Sequence, residues 1–97
     1  MPKVLISDSM SAVAQKIFEK NNIAVDVKTG LSEDEIIKII PEYDGMVVRS
    51  ATKVTKKILD AASNLKVIGR AGAGVDNIDV PTAKEKNMIV MNTPGGN

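Results

Sequence analysis

The chain has 97 residues, of which 43% are hydrophobic and 26% are charged, and its formal net charge is +1. This length fits one small domain, and the near-neutral charge favours neither a nucleic acid nor a membrane surface as a partner. No apolar run approaches the roughly 18 residues that span a bilayer, and the N-terminus has no leader pattern, so we expect a cytoplasmic location. The sequence contains no cysteine and no histidine. This composition excludes disulfides, a cysteine nucleophile and a histidine base within the chain, and we expect no metal site.

The first elements read as a strand, a helix and a second strand. Val4–Ile6 is a short apolar run typical of a strand that is covered on both faces. A helix is predicted next, and Asn21-Asn22 ends it. Residues 23–27 alternate between apolar and polar, which predicts a half-exposed strand at a sheet edge. The apolar stripe of the helix comprises Met10, Val13, Ala14, Ile17 and Phe18.

The second helix has the clearest start signal in the sequence. Ser32 followed by Glu35 forms a capping box, and the acidic first turn suits the helix dipole. Leu31 before the cap and Ile36 within the helix can form a hydrophobic staple. Pro41 then predicts the end of the helix.

A third strand and a third helix follow. Met46–Val48 is a buried-strand pattern. Thr55 is placed to cap the next helix, and Ser63-Asn64 is placed to end it. The inward positions of this helix are Ile58, Leu59 and Ala62.

The last part of the chain repeats the pattern once more. Leu65–Ile68 predicts a fourth strand. After a glycine-rich loop, Asp79 can cap a short helix that has Pro81 in its first turn, and Asn87 closes it. Met88–Met91 predicts the fifth strand.

This alternation of strands and helices predicts an α/β fold with an open, mainly parallel sheet of about five strands. Connections between parallel strands are right-handed, and we expect helices on both faces of the sheet. The strand order is expected to be flavodoxin-like, with the first strand inside the sheet.

Polar residues follow the predicted strands directly. They are Asp8, Arg49, Ser50, Arg70 and Asn92. All of them fall at the carboxyl ends of strands, where open α/β sheets bind ligands. If the third and fourth strands are neighbours, Arg49 and Arg70 lie on the same rim and can bind a carboxylate or a phosphate. The alternative is that each arginine is a solvated surface residue or an ion-pair partner, and that Ser50 only forms a turn.

The loop GRAGAGVD, Gly69–Asp76, follows the fourth strand. Its glycine spacing differs from G-x-G-x-x-G, and a helix does not begin directly after it, so it is not the dinucleotide-binding motif. One interpretation is that the glycines serve turn geometry alone. The other is that the amides of Gly72, Ala73 and Gly74 form a backbone nest for an anion.

Three stretches together resemble one protein family: VVRSATKVT, VIGRAGAGVDNID and VMNTPGGN. The chain resembles the D-isomer-specific 2-hydroxyacid dehydrogenases, and among them the members that oxidise 3-phospho-D-glycerate to 3-phosphooxypyruvate in serine biosynthesis. The resemblance implies that residues 1–91 form most of a flavodoxin-like substrate-binding domain. Residues 92–97 would then begin the crossover to a nucleotide-binding domain that is absent from this chain.

The resemblance also implies roles for individual residues. The substrate-binding set would be Arg49, Ser50, Arg70, Gly72, Gly74 and Asn97, with Arg70 helping to hold the phosphate end. Ala73 would border the nicotinamide of NAD, which the missing domain would mainly bind. Many relatives have threonine at this position, so only a backbone or packing role carries over to Ala73. The family's catalytic histidine lies beyond Asn97, so we expect no catalytic residue here and no activity from the chain alone.

Partners implied by the resemblance are a small phosphorylated 2-hydroxy acid and further copies of the parent enzyme in a homo-oligomer. Two other functions remain open. The first is a fragment of a glyoxylate or hydroxypyruvate reductase, which the RSATKVT stretch disfavours. The second is a non-catalytic flavodoxin-like module that binds an anion or a protein.

Overall fold

The computed structural model describes residues 2–8, 19–49, 51–70 and 76–92. The strands are β1 (Lys3–Ile6), β2 (Ala24–Val27), β3 (Gly45–Val48), β4 (Val67–Arg70) and β5 (Ile89–Asn92). The α-helices are α1 (Glu33–Ile39), α2 (Lys56–Ala61) and α3 (Val80–Glu85), and a 3-10 helix, Ile40–Glu42, follows α1. The helix predicted on Met10–Phe18 lies outside the described residues, although Glu19 and Lys20 just after it are helical.

The five strands form one parallel sheet in the order β2-β1-β3-β4-β5. This order confirms the predicted flavodoxin-like arrangement, with β1 between two neighbours and β2 at an edge. Because every pair is parallel, the carboxyl ends of all five strands meet at the same edge of the sheet.

Sequence signals located the helix starts correctly. The Ser32 hydroxyl accepts a hydrogen bond from the backbone of Glu35, and the Glu35 carboxylate accepts one from the backbone of Ser32 at 2.9 Å. Thr55 and Asp79 cap α2 and α3 in the predicted way. Among the described residues, no helix has the length and apolar character needed to cross a membrane.

Three strands begin later than the sequence pattern suggested, and β2 begins at Ala24, one residue after its predicted start. The predicted run Leu65–Ile68 corresponds to a strand at Val67–Arg70, and the last strand is also shifted by one residue. Leu65 is buried, but it packs from the turn before β4 instead of pairing in the sheet. An apolar side chain can reach the core from a turn, so burial alone does not fix a strand boundary. Arg70 is consequently the last residue of β4.

The main hydrophobic core lies between one face of the sheet and the described helices. Leu5, Met46 and Ile68 occupy one row across β1, β3 and β4, and each is at most 1% exposed. The helices contribute Ile36, Ile58, Leu59 and Ala83 to the same cluster. Right-handed crossovers between strands that advance in one direction place these helices on one face. Helices on the second face of the sheet stay a prediction.

A polar cluster centres on Asp26 of the edge strand β2. The Tyr43 hydroxyl donates a hydrogen bond to Asp26 Oδ2 at 2.7 Å, and Lys3 Nζ lies 3.5 Å from the same oxygen. The Tyr43 hydrogen bond, followed by the charge of Lys3, outweighs desolvation and lowers the pKa of Asp26 below its ordinary value of 3.8. The cluster therefore links β2 to the segment that precedes β3.

Replacing Tyr43 with phenylalanine is expected to destabilise the chain by about 0.5 kcal/mol, the low end for one hydrogen bond, because the Asp26 side chain is 37% exposed. A lowered carboxyl pKa adds stability above pH 3.8, and this contribution is lost as the pH falls through the lower folded-state pKa. The difference between the variant and the parent should therefore shrink in acid. Urea unfolding of the parent and the variant at neutral pH and at about pH 3 measures this difference in the free energy of unfolding. An equal difference at the two pH values would contradict this account.

Candidate functional site

The carboxyl edge of the sheet brings together residues that are far apart in the sequence. Val48 and Arg70 are Cα partners in the β3–β4 register, and Arg70 is also paired with Asn92 of β5. Arg49 follows Val48 directly. Since neighbouring strands lie about 4.8 Å apart, the backbone positions of Arg49 and Arg70 are adjacent on this edge. The predicted shared rim is thus present at the level of the backbone.

The two arginines differ in their surroundings. Arg49 is exposed, whereas the Arg70 side chain is only 12% exposed. Arg70 shares a face of the sheet with its partner Val48, which faces α1, α2 and α3. Arg49 lies beyond the last residue of β3, so strand alternation no longer fixes the direction of its side chain.

Arg70 lines an open depression of about 580 Å³ at this edge. The remaining lining residues come from the segments 53–56 and 76–79, and they include two lysines and two aspartates. Arg70 Nη2 lies 3.9 Å from Asp76 Oδ1, but the Asp76 side chain is 89% exposed. A long ion pair with so exposed a partner contributes little stability, so an anionic ligand can compete with Asp76 for the guanidinium.

Asp8, which follows β1, holds the segment 49–52 that follows β3. Its Oδ2 accepts hydrogen bonds from the backbone amides of Arg49 at 2.7 Å and Thr52 at 3.0 Å. Its Oδ1 accepts one from the Thr52 hydroxyl at 2.5 Å. The Asp8 residue is only 6% exposed. Three donors compensate for burial of this carboxylate, and they connect the ends of two neighbouring strands.

Asn77 holds the same segment from the other side. Its Nδ2 donates hydrogen bonds to the carbonyl oxygens of Arg49 and Thr52, both at 2.6 Å. The backbone around Asn77 is itself fixed, because Val54 and Ile78 form a parallel bridge. The Val54 amide donates to the Asn77 carbonyl at 2.9 Å. The backbone of Arg49 and Thr52 is therefore held by side chains from two distant parts of the sequence.

Five of the predicted site residues fall outside the described part of the chain, so the structure does not test them. They are Ser50, Gly72, Ala73, Gly74 and Asn97. Within residues 2–8, 19–49, 51–70 and 76–92, no group of three or more acidic side chains could hold a metal ion. The described polar groups at this edge include aspartates as well as cations, and among them the Arg70 guanidinium suits binding and orientation of an anion.

Sequence reasoning gave no role to Asn77 and recognised Asp8 only as a polar residue at a strand end. Their hydrogen bonds to segment 49–52 span 25 to 44 positions. Contacts between residues so far apart in the sequence leave no local sequence pattern that predicts them. The one available signal was the placement of an acidic side chain directly after a buried strand.

Comparison with known proteins supports the same fold and identifies a family. The family model for the D-isomer specific 2-hydroxyacid dehydrogenase catalytic domain matches residues 4–97. The D-3-phosphoglycerate dehydrogenase of Synechocystis sp. is 61% identical over 97 residues, which are 100% of this chain and 17% of the relative. That of Archaeoglobus fulgidus is 50% identical over 95 residues, which are 98% of this chain and 18% of the relative.

One solved structure has the same fold as this chain. The NAD+-bound 3-phosphoglycerate dehydrogenase of Entamoeba histolytica superposes with a TM-score of 0.87 at 32% identity. The match covers 97% of this chain and 33% of that protein. The chain spans less than a fifth of the length of the Synechocystis sp. and Archaeoglobus fulgidus relatives. Together with the five-stranded parallel sheet, the family match over nearly the whole chain shows that this chain belongs to the D-isomer specific 2-hydroxyacid dehydrogenases.

Proposed function

We propose that this chain is the substrate-binding part of an enzyme that oxidises 3-phospho-D-glycerate to 3-phosphooxypyruvate with NAD, the first step of the phosphorylated route to serine. The observation that carries this proposal is the adjacency of Arg49 and Arg70 at the carboxyl edge of β3 and β4. The substrate has a carboxylate at one end and a phosphate at the other. Guanidinium groups bind both kinds of anion through paired hydrogen bonds.

Arg49, Ser50 and Asn97 contact the substrate in this proposal, and Arg70 helps to hold its phosphate. The amides around Gly72 and Gly74 face the carboxylate, and Ala73 borders the nicotinamide. These groups orient the substrate and balance its charge, which lowers the barrier through positioning. Names of relatives that are 61% and 50% identical support this choice of substrate.

NAD does not fit the described residues as a bound cofactor. In dinucleotide-binding folds, the pyrophosphate lies on a glycine turn that follows the first strand. Here β1 is followed by Ser7 and the buried Asp8, whose oxygens already accept three hydrogen bonds. A pyrophosphate at this turn would meet a carboxylate. We propose that residues 1–91 form the substrate domain and that residues 92–97 lead into a separate domain that binds NAD.

The full-length protein tests this proposal. It is expected to form NADH from 3-phospho-D-glycerate with a kcat/KM at least about 100-fold above that for D-glycerate, because losing the phosphate loses charge-assisted hydrogen bonds. Glyoxylate and hydroxypyruvate, tested in the reverse direction, should be poorer substrates than 3-phosphooxypyruvate. Faster reduction of glyoxylate or hydroxypyruvate would identify a reductase instead.

The isolated chain, residues 1–97, is expected to form no NADH from phosphoglycerate and NAD. It contains no histidine, and it lacks a group suited to take the hydroxyl proton as the hydride leaves. The measurement is NADH absorbance with the full-length protein as a positive control. Turnover by the chain alone would overturn the division of labour between the two domains.

A further inference from the structure

Four hydrogen bonds hold the backbone of Arg49 and Thr52, which precede the bridge at Val54. The backbone amide and the backbone carbonyl of Arg49 each form a hydrogen bond, and so do those of Thr52. The two amides donate to Asp8, and the two carbonyls accept from Asn77. Each end of the segment is therefore fixed by the same two side chains.

We propose that Asp8 and Asn77 are positioning residues for the substrate, which act by fixing the backbone of Arg49 and Thr52. This inference rests on the proposed function, in which Arg49 binds phosphoglycerate. Backbone that is already fixed at Arg49 and Thr52 pays less conformational entropy when the ligand binds. Loss of either holding residue therefore weakens substrate binding without removing any group that contacts the substrate.

The chemistry of the Asp8 contacts makes a sharp test possible. Asp8→Ala removes every acceptor, whereas Asp8→Asn can preserve all three hydrogen bonds. An amide oxygen in place of Oδ2 accepts from the backbone of Arg49 and Thr52, and an amide NH₂ in place of Oδ1 donates to the Thr52 hydroxyl. This pair of variants therefore separates the effect of losing the Asp8 hydrogen bonds from the effect of losing its negative charge.

In the full-length enzyme, Asp8→Ala is expected to raise the KM for 3-phospho-D-glycerate on the order of 10-fold or more, with the KM for NAD changed less than about threefold, because displacement of a binding group by about 1 Å is costly. Asp8→Asn should bring the substrate KM back to within about threefold of the parent value. Asn77→Ala, at a half-buried position, should raise the substrate KM in the same selective way. It serves as the second variant if Asp8→Ala does not fold.

Asp44→Ala is the matched control. Asp44 Oδ2 also accepts a backbone hydrogen bond across 41 positions, from Lys3 at 2.9 Å, but at the amino-terminal edge of the sheet. It is expected to lower stability and to leave the substrate KM unchanged. A rise in substrate KM for Asp44→Ala equal to that for Asp8→Ala would reduce the Asp8 effect to a general loss of stability and overturn the proposal.

Hydrogen–deuterium exchange of the peptide that contains residues 49–52 gives a reading that needs no turnover. Exchange should be faster in Asp8→Ala and Asn77→Ala than in the parent, and close to the parent rate in Asp8→Asn. If the parent enzyme does not oxidise phosphoglycerate, the proposed function fails whatever the exchange data show. If it does, and Asp8→Ala leaves the substrate KM unchanged, or Asp8→Asn behaves like Asp8→Ala, the positioning role is wrong.

Discussion

Replacing Arg49 with alanine in the full-length protein is expected to raise the KM for 3-phospho-D-glycerate on the order of 100-fold, while the KM for NAD changes less than about threefold. Hydrogen bonds to charged groups contribute about 1.5–3 kcal/mol each, and 1.4 kcal/mol corresponds to a factor of ten. Arg49 is exposed at the end of β3, so its loss leaves no cavity in the core. Steady-state kinetics with each ligand varied in turn measures both constants.

Lys57→Ala is the control for this experiment, because it removes an exposed positive charge from α2 instead of from the sheet edge. It should change neither constant by more than about twofold, since the charge of an exposed lysine is screened by salt over roughly 8 to 10 Å. Comparable losses of affinity for substrate and NAD in Arg49→Ala would count against the role of Arg49.

The pairing of Arg49 with Arg70 adds a quantitative check to the same series. If both guanidinium groups hold the same small phosphorylated substrate, the effects of Arg49→Ala and Arg70→Ala on kcat/KM should not be additive in the double variant. Additive effects within about 0.5 kcal/mol would indicate two independent sites. That result would contradict a joint role of Arg49 and Arg70 in holding one substrate.

Replacing Ile68 with alanine is expected to destabilise the chain by about 2–5 kcal/mol, the range for deleting a buried isoleucine side chain. Ile68 is fully buried in β4, between Met46 of β3 and Val90 of β5. A domain of this size has only about 5–15 kcal/mol of total stability, so the loss is a large share of it. Urea unfolding followed by circular dichroism measures the difference.

Two variants bracket that result. Ile68→Val should cost about 0.5–1.5 kcal/mol, because a single methylene group is lost from the same site. Ile89→Ala should cost less than Ile68→Ala, since Ile89 lies on β5 and is 61% exposed. Equal losses for Ile68→Ala and Ile89→Ala would mean that the core does not lie on the face of the sheet described above.

Local signals in the sequence predicted most of the fold. The capping box at Ser32, the caps at Thr55 and Asp79 and the end of α3 at Asn87 each depend on residues within about four positions. Asn87 has a φ of 60°, a left-handed conformation that asparagine adopts more easily than most residues. The strand order followed from the alternation of strands and helices, because right-handed crossovers leave few possible topologies.

The candidate site was predictable only in outline. Strand ends at Arg49 and Arg70 follow from where apolar runs stop, and parallel pairing brings such ends to one edge. Asp8 and Asn77 depend instead on hydrogen bonds to a segment many positions away, which no local pattern encodes. The start of β4 was placed two residues early because Leu65 is buried by packing from a turn.

The hydrogen bonds from Asn77 set an order of events during biosynthesis. Arg49 and Thr52 leave the ribosome well before Asn77, which is 28 and 25 positions further along the chain. Until Asn77 has emerged, the two carbonyls of that segment have only water in place of its amide group. The described hydrogen bonds at this edge are therefore completed only after Asn77 has emerged, when β1 to β4 are already available to pair.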